Sequence, residues 1–317
     1  MKTYEVVANT KDMERNEWLE QRQKGIGGSD VSAIAGLNRY KSAFALYLEK
    51  TESVKYDEAG EAAYWGNIME PIVAEEFSKR TGLKVRRKNQ LLKHKDYPFM
   101  MANLDRVIVG KNQLLECKTA SEWFNSDWDG EEIPAPYLLQ ITHYMAVTGA
   151  EGAWIAVLVG GNKFRYKYVE RDEELIEYVI ELEKDFWENN VLAKVPPAID
   201  GSDSAKELLK KMYPVATVEE AIDLEDDVDE LILKHEELKQ QEKEIKKESS
   251  RIENDIKLRL GEHDKGTTSK NLVTWSTVVS KRVDSKALKA DFPEVYEQVI
   301  KESSSRRFGY KQIKGDK

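Results

Sequence analysis

The sequence predicts an α/β protein, and two observations carry that prediction. Helical periodicity near residues 42–50 and 67–80 alternates with strand-like apolar runs near 84–93, 99–109, 113–118 and 152–159. Helices and strands interleaved along one chain are typical of a sheet packed against helices. The chain has 317 residues, of which 40% are hydrophobic, so it is long enough to bury a full-sized core.

Composition narrows the class of protein. The longest apolar stretch, GAWIAVLVGG, is shorter than the roughly 20 residues of a membrane span, and the N-terminal segment lacks an apolar signal region. We therefore expect a cytosolic protein. The single cysteine excludes an intrachain disulfide and any iron–sulfur or zinc site built from four cysteines. A net charge of −9 argues against nucleic-acid binding over the whole surface but leaves a local basic track open.

The segment VPPAIDGSD at 195–203 has the composition of a domain boundary. We predict a first domain over 1–197 and a C-terminal extension over 198–317. Residues 219–260 are almost all helix formers, with apolar residues at heptad-like spacing and 15 acidic against 8 basic residues. Polar residues interrupt the stripe, which favours an antiparallel hairpin or a helix packed on its own domain over a parallel dimer.

The last part of the extension, 261–317, is basic, with 12 basic against 8 acidic residues. Residues 271–283 alternate like strands, and 285–300 are predicted to form a helix that Ser285 opens. We expect a small region of β-hairpin and helix there.

The stretch LLECKT at 114–119 carries the chemistry that most needs explanation. Side chains alternate along a strand, so Glu116 and Lys118 lie on one face and Leu115 and Cys117 on the other. An acid and a base thus point the same way near the end of an apolar strand.

Asp105 stands eleven residues before Glu116, and the turn signal GKN between them predicts a hairpin of 99–109 with 113–118. With the loop centred on Lys111-Asn112, Asp105 lies opposite Lys118, and all three charged residues share one face.

Two carboxylates beside one ammonium need a cation or a substrate, because burying unpaired charge costs several kcal/mol. Oxygen ligands of this kind suit Mg²⁺ or Mn²⁺, which also share phosphate oxygens. Such a metal activates water and polarises phosphorus, while the lysine holds the water or stabilises charge, so the chemistry is phosphodiester hydrolysis. From spacing alone, a surface hairpin with an ordinary Glu–Lys pair worth under about 1 kcal/mol is an equal alternative.

Two helices supply further polar side chains. Glu70 lies on a helix predicted over 64–82, with Ile68, Val73 and Phe77 facing inward. Gln140 and Tyr144 lie four residues apart on one face of a helix over 137–147, suited to holding the lysine or a phosphate. The alternatives are a solvated glutamate for Glu70 and, for the pair, a tyrosine at the core edge beside an exposed glutamine.

The segment QRQKGIGGSD at 21–30 leads through glycines into a helix predicted over 30–36. Exposed backbone amides at a helix start suit a phosphate. The segment lacks the Gly-Lys-Ser/Thr of a nucleotide P-loop, so ATP is not expected. Without further motifs, Ser29 as a plain N-cap and Arg22 as a surface cation are the simpler interpretation.

Asp105, then Glu116-Cys117-Lys118, preceded by Glu70 and followed by QITHY, resemble the PD-(D/E)xK nuclease superfamily. Within it, EWLEQRQKGIGGSDVSAIAG, WGNIMEP, ANLDRV, LLECKT and QITHYM occur in the order of the YqaJ-type viral recombinase nucleases, relatives of phage lambda exonuclease. The resemblance covers about residues 10–190. One position departs from it, since Leu104 stands before Asp105 where the motif has proline.

This resemblance implies a restriction-endonuclease-like central mixed sheet flanked by helices. It also implies a Mg²⁺-dependent (or Mn²⁺-dependent) exonuclease that resects linear duplex DNA from the 5′ end in the cytoplasm of a bacterial or phage-infected cell. Implied partners are a single-strand annealing protein of the RecT or Bet type and further copies of the chain, since relatives form ring-shaped trimers.

The resemblance further implies a role for each matching residue. Metal ligands are Asp105, Glu116 and the Cys117 carbonyl, Lys118 lies at the nucleophilic water, and Glu70 and Gln140 support catalysis, with Tyr144 beside Gln140. Arg22 and Ser29 match residues that bind the 5′-terminal phosphate.

Alternatives remain at this point. An endonuclease of the same fold uses the same metal site, and a DNA-binding recombination scaffold without cleavage needs none. An iron–sulfur nuclease of the RecB-like branch is excluded by the single cysteine. We expect the Cys117 thiol to fill the core, His94, His143 and His235 to bind no metal, and Trp123 and Trp128 to lie either in a DNA-facing loop or in a folded flap.

Overall fold

The computed structural model describes residues 2–51, 60–216, 221–225, 227–301 and 305–311. The chain forms two compact units, Met1–Met212 and Tyr213–Lys317. The predicted domain boundary at 197/198 lies 15 residues before the first unit ends, because a helix at Asp203–Met212 packs within that unit. The division into an independent nuclease domain and an extension remains a prediction.

The first unit alternates helices and strands as predicted. In chain order these are β1 (Tyr4–Asn9), α1 (Arg15–Gln23), β2 (Ile26–Gly27), α2 (Gly28–Ile34), α3 (Ala43–Thr51), α4 (Glu61–Thr81), β3 (Val85–Arg87), β4 (Gln90–His94), β5 (Met100–Asn103), β6 (Arg106–Ile108), β7 (Gln113–Ala120), α5 (Ala135–Thr148), β8 (Gly152–Val159), β9 (Lys163–Glu170), α6 (Glu173–Asp185) and α7 (Asp203–Met212).

The described strands of the first unit form two sheets. The larger has the order β3-β6-β7-β8-β9, in which only the β7–β8 pair is parallel. The smaller has the order β1-β4-β5-β2, with β2 parallel to β5. The predicted α/β class with a central mixed sheet flanked by helices is therefore confirmed.

Helices cover both faces of the larger sheet. On one face, α4 packs Val73, Ala74 and Phe77 against Leu115 and Cys117. On the other, α5 is buried along nearly its whole length and joins Leu114 and the core strands in the main hydrophobic cluster. The continuous apolar run of β8 fits this position, since a central strand covered on both faces needs no polar alternation.

Two predicted strands are each divided between the sheets. The run 84–93 contains β3 and β4, and the run 99–109 contains β5 and β6, so the chain leaves one sheet and enters the other within each run. Antiparallel pairing joins β3 to β6 and β4 to β5, so both runs bend together. Asp105 lies in the second bend. An apolar pattern marks residues as strand formers but does not say in which sheet they pair.

The predicted hairpin register is wrong by two residues. Arg106 pairs with Leu115 and Val107 with Leu114, whereas the predicted pairing of Asp105 with Lys118 would place Val107 opposite Glu116. A two-residue error leaves every side chain on its predicted face, because the side-chain period of a strand is two. The predicted grouping of the acids therefore holds despite the error.

Helix α4 is longer than predicted. It begins at Glu61, so Glu70 lies in its middle, and Ile68 is 40% exposed instead of facing inward. Val73 and Phe77 are buried as expected. Pro71 lies inside the helix without ending it.

The second unit contains α8 (Asp227–Leu260), β10 (Lys265–Thr267), β11 (Leu272–Thr274), α9 (Ser285–Asp291) and α10 (Pro293–Val299). The predicted helix start at 219–220 lies outside the described residues, and 221–225 are not helical. Within the predicted strand region 271–283, only β11 forms. The predicted helix 285–300 is two helices, because Pro293 cannot continue the hydrogen bonds of α9. Asp284, and not Ser285, caps α9 by accepting from two backbone amides.

The apolar stripe of α8 is largely exposed, with Leu231, Leu238 and Ile245 each more than half accessible. The predicted packing of this helix on its own domain is therefore not found at these positions. Its ends do make contacts within the second unit. His235 Nδ1 lies 2.9 Å from the Tyr310 hydroxyl, and the buried Leu260 packs at the Gly266 backbone. Among the described helices, none combines the length and the hydropathy that crossing a membrane requires.

Candidate active site

Asp105 and β7 form the centre of the candidate site. In the bend between β5 and β6, Asp105 Oδ2 accepts a 2.8 Å hydrogen bond from the backbone amide of Cys117. This bond fixes the Asp105 carboxylate beside the strand that carries Glu116 and Lys118. The structure thus brings Asp105 close to Glu116 and Lys118, as the strand pattern predicted.

Glu116 is only 5% exposed and receives two donors on a single oxygen. Lys118 Nζ lies 2.7 Å from Glu116 Oε1, and Gln140 Nε2 donates to the same oxygen at 2.6 Å. Gln140 also donates to the Tyr144 hydroxyl at 3.0 Å. The sequence placed Gln140 and Tyr144 on one helix face, as found, but Gln140 holds the carboxylate and not the lysine.

Burial and the local charges shift three pKa values in the site. Burial, followed by the neighbouring Glu116 carboxylate, raises the pKa of Asp105 well above its ordinary value. Burial alone lowers the pKa of Lys118, but attraction to Glu116 and Asp105 outweighs it and the net pKa is raised. Burial and the same two carboxylates raise the pKa of the Tyr144 hydroxyl well above its ordinary value. Lys118 therefore stays an ammonium and Tyr144 stays neutral near pH 7.

Glu70 reaches the site from the opposite face of the sheet. It forms an ion pair with Arg106, whose Nη1 also donates to the Asp105 carbonyl at 2.7 Å. Arg106 is buried and shares its face with its strand partner Leu115. Sequence reasoning missed Arg106, although an arginine inside the apolar run NLDRVIV is itself a signal, since a buried guanidinium requires an acidic partner.

The Cys117 thiol takes no part in this chemistry. It packs against α4 in the smaller core, and burial raises the pKa of the thiol far above its ordinary value. The thiol therefore fills the core, as expected. Only the Cys117 carbonyl remains a candidate metal ligand.

Arg22 and Ser29 lie together as the resemblance implied. Arg22 Nη2 donates to Ser29 Oγ and to Asp30 Oδ1, both at 2.7 Å. Asp30 is buried and also pairs with Lys50 Nζ at 3.0 Å, and Lys41 Nζ lies 3.8 Å away. Burial raises the pKa of Asp30, but its three cations outweigh this effect and hold it well below the ordinary value.

Sequence reasoning missed Asp30 and Lys50. Their ion pair joins residues 20 positions apart in the sequence, and no spacing pattern in the sequence predicts it. With Glu49, which pairs with Lys41 at 2.7 Å, the cluster holds two carboxylates against three cations, so one positive charge is left over.

The glycines before α2 serve packing. A Cβ on Gly25 would lie 2.5 Å from the Phe99 carbonyl oxygen, and one on Gly28 would lie 2.6 Å from the Tyr144 ring. Close approach of α2 to α5 therefore requires glycine at position 28. Helix α2 begins at Gly28, two residues before the predicted start, and binding of a phosphate at this helix start stays a prediction.

Two histidines and one of the tryptophans Trp123 and Trp128 are buried. His94 Nδ1 accepts from two backbone amides, and His143 lies fully buried between Glu183 and the Met101 carbonyl. Trp128 is buried and stacks on Tyr137, whereas Trp123 is 90% exposed. Trp128 therefore belongs to a folded flap.

The donor set fits a hard divalent cation with few protein ligands. Among the described residues, no three His, Cys, Asp or Glu side chains converge closely enough to hold a metal. Asp105 and Glu116 supply two carboxylates, and the backbone carbonyl of Cys117 adds a neutral oxygen. Mg²⁺ commonly binds through one or two carboxylates, with water and substrate oxygens completing the shell. One ammonium beside two carboxylates also leaves a negative charge that a cation would balance.

Comparison with known proteins extends these observations. A family model described as a YqaJ-like viral recombinase domain matches residues 17–151. A Bacillus subtilis (strain 168) protein named Uncharacterized protein YqaJ is 46% identical over 315 residues, covering 98% of this chain and 99% of that protein. The crystal structure of an alkaline exonuclease (LHK-Exo) from Laribacter hongkongensis matches 63% of this chain and all of its own, with 20% identity and a TM-score of 0.47. A phage related exonuclease from Haemophilus somnus 129PT matches 56% of this chain and 99% of its own, with 12% identity and a TM-score of 0.43.

Proposed function

Because this chain belongs to the YqaJ-like viral recombinase family, we propose that it is a divalent-metal-dependent deoxyribonuclease that resects linear duplex DNA from the 5′ end. The observation that carries the proposal is the convergence of Asp105, Glu116 and Lys118, with Gln140 bonded to Glu116. A buried glutamate held by an ammonium and an amide is organised for a ligand, because packing alone does not repay its desolvation.

Asp105, Glu116 and the Cys117 carbonyl are the residues that would hold the metal. When bound, Mg²⁺ or Mn²⁺ would supply Lewis-acid activation of water and of the phosphodiester. Both Gln140 and Lys118 bind Glu116 Oε1, which fixes the orientation of the carboxylate. The ligand geometry is thereby set before substrate arrives, which is how an active site avoids reorganisation during the reaction.

Lys118 carries the positive charge nearest the reacting phosphate in this proposal. Its ammonium keeps its proton because two carboxylates attract it. It can therefore donate a hydrogen bond to the attacking water or to the phosphate oxygen that gains charge. Glu70, held by Arg106, and Tyr144, held by Gln140, position these groups from the two sides of the sheet.

Arg22 and Ser29 are proposed to bind the 5′-terminal phosphate, which gives the reaction its direction. Contacts of Arg22 Nη2 with Ser29 and Asp30 fix the guanidinium, and its remaining N–H groups can donate to a phosphate. The proposed partners are a single-strand annealing protein of the RecT or Bet type and further copies of the chain. Family membership supports a role in recombination, and the partners are expectations from it.

Digestion of end-labelled DNA tests the proposal. Linear duplexes with a 5′-phosphate or a 5′-hydroxyl and a covalently closed circle are incubated with and without Mg²⁺. We expect metal-dependent release of nucleotides from the phosphorylated linear duplex and an intact circle. Cleavage of the circle would favour the endonuclease alternative, and DNA binding without cleavage of any substrate would favour the scaffold.

A further inference from the structure

A basic groove lies away from the metal site. Two adjoining depressions of about 360 and 420 Å³ share Tyr4, Arg86 and Lys88 in their walls. The complete set of cationic residues that line them is Lys2, Lys11, Arg86, Arg87, Lys88 and Lys111. Among the described residues that line this groove, none is acidic, although the chain as a whole carries a net charge of −9.

Among the residues that the structure describes, these cations have no carboxylate partner. Within the described parts of the chain, none of the six forms an ion pair, whereas Lys93 on the same small sheet pairs with Glu5. Lys2 and Lys88 instead lie over the ring of Tyr4, at 5.9 and 5.3 Å from its centroid, and Lys88 Nζ lies 3.2 Å from its hydroxyl. Clustered like charges repel one another, so an unneutralised cluster favours a bound polyanion.

The groove lies at the start of β7, before the catalytic side chains of that strand. Gln113 lines it, and Glu116 and Lys118 lie three and five residues further along, or about 10 and 17 Å at 3.3 Å per residue. Leu104 and Leu114 line the groove and also a small cavity against Asp105 and Glu116. Leu104 and Leu114 therefore separate the groove from the catalytic acids, and the groove is not part of the metal site.

We propose that this basic groove binds single-stranded DNA, and specifically the strand that remains after resection. The inference rests on the proposed function, since only a resecting nuclease produces that strand beside its own active site. A flexible single strand can follow adjoining depressions lined by cations, as it does in the positively charged grooves of single-strand-binding proteins. Exposed Arg86 and Arg87 are placed for phosphates, while Asn89 and Gln90 offer amides to base edges that a duplex hides.

Fluorescence anisotropy with a labelled oligodeoxythymidylate of about 16 nucleotides tests the assignment, in EDTA so that no cleavage occurs. The test variant is Arg86→Ala/Lys88→Ala, which removes the two cations common to both depressions. The control is Lys206→Ala/Lys210→Ala on α7, which removes two exposed lysines that pair with acids.

We expect the test variant to lose up to about 25-fold in affinity at 0.1 M salt, and the slope of log K against log salt to fall by about 1.4. Each single-strand phosphate contact contributes ~0.7 to that slope, so two lost contacts remove about 1.4 from it. Over the decade of salt from 1 M to 0.1 M, this slope corresponds to about 25-fold in affinity. The affinity for blunt duplex DNA should fall by a smaller factor than the affinity for single-stranded DNA. The charge-preserving variant Arg86→Lys/Lys88→Arg should bind single strands like the parent, as should the control.

Two outcomes would overturn the assignment. Unchanged single-strand affinity and salt slope in the alanine variant would show that the groove does not bind this strand, and would leave an acidic protein surface as its partner. An equal loss for blunt duplex and single strand would show that the cations serve the duplex. Because binding is measured without metal, either result is separable from a failure of the parent to cleave DNA with Mg²⁺.

Discussion

Gln140 donates a 2.6 Å hydrogen bond to Glu116 from a different element, α5, and both side chains are buried. Since Lys118 binds the same oxygen, the amide and the ammonium together fix the carboxylate. We expect Gln140→Ala to lower the rate of Mg²⁺-dependent digestion by roughly 10- to 100-fold, the range for partners of metal ligands. Initial rates on a linear duplex measure this, with Asn189→Ala as a surface control. A parental rate in Gln140→Ala would show that Lys118 alone orients Glu116.

The central charged residues should be indispensable for cleavage. We expect Asp105→Asn, Glu116→Gln and Lys118→Ala each to lose at least ~10²-fold in rate, the scale of one preorganised electrostatic group. Circular dichroism and the melting temperature should show a folded protein in each case, because charge and not core volume is removed. Near-normal digestion by purified Glu116→Gln would contradict the nuclease proposal.

Arg22 should determine the preference for the 5′ end. We expect Arg22→Ala to lose the preference for a 5′-phosphate more than it loses rate on a favourable substrate, because a guanidinium can bind phosphate through two donors. The measurement is the ratio of initial rates on phosphorylated and hydroxyl ends, with Arg39→Ala as the matched control. An unchanged ratio in Arg22→Ala would remove the end-binding role.

Asp30 should make stability depend on acid pH. Its pKa is depressed in the folded state by Arg22, Lys50 and Lys41 against the effect of burial, so its contribution is fully present above the ordinary carboxyl pKa. That contribution is lost as pH falls through the depressed folded value. We expect Asp30→Asn to cost about 3 kcal/mol in the free energy of unfolding at pH 7, because it leaves the buried Lys50 ammonium without its carboxylate partner.

Urea unfolding between pH 7 and pH 3 measures this effect. The difference between the parent and Asp30→Asn should shrink as pH falls below about 4. Asp129→Asn, which breaks the exposed pair with Arg165, should cost less than about 1 kcal/mol. A constant difference across the pH range would contradict the linkage.

The two compact units should be separable. We expect a chain ending at Met212 to fold and to cleave short duplexes with Mg²⁺, because Asp105, Glu116, Lys118 and Gln140 all lie in the first unit. We expect this shorter chain to lose either processivity on long duplexes or binding of the annealing protein. Digestion of long and short duplexes compares these properties. A folded truncated chain without activity on any duplex would show that residues after 212 complete the active site.

Periodicity by itself determined which side chains share a face. The face of Glu116 and Lys118 follows from the two-residue period of a strand, so the grouping with Asp105 survived a register error of two residues. Gln140 and Tyr144 meet because residues four apart adjoin on a helix. Both rules act within one element, where the backbone geometry is known from local conformation.

Only the tertiary structure decided which elements meet, and thus which charges pair. The bend that divides 99–109 between two sheets places Asp105 at the Cys117 amide, and no local pattern marks it. Arg106 pairs with Glu70, which lies 36 residues away in the sequence, and Lys50 pairs with Asp30, which lies 20 residues away. Both pairs form because the packing of whole helices and strands brings their side chains together. A buried charge signals that a partner exists, but the identity of that partner depends on where the packed elements place it.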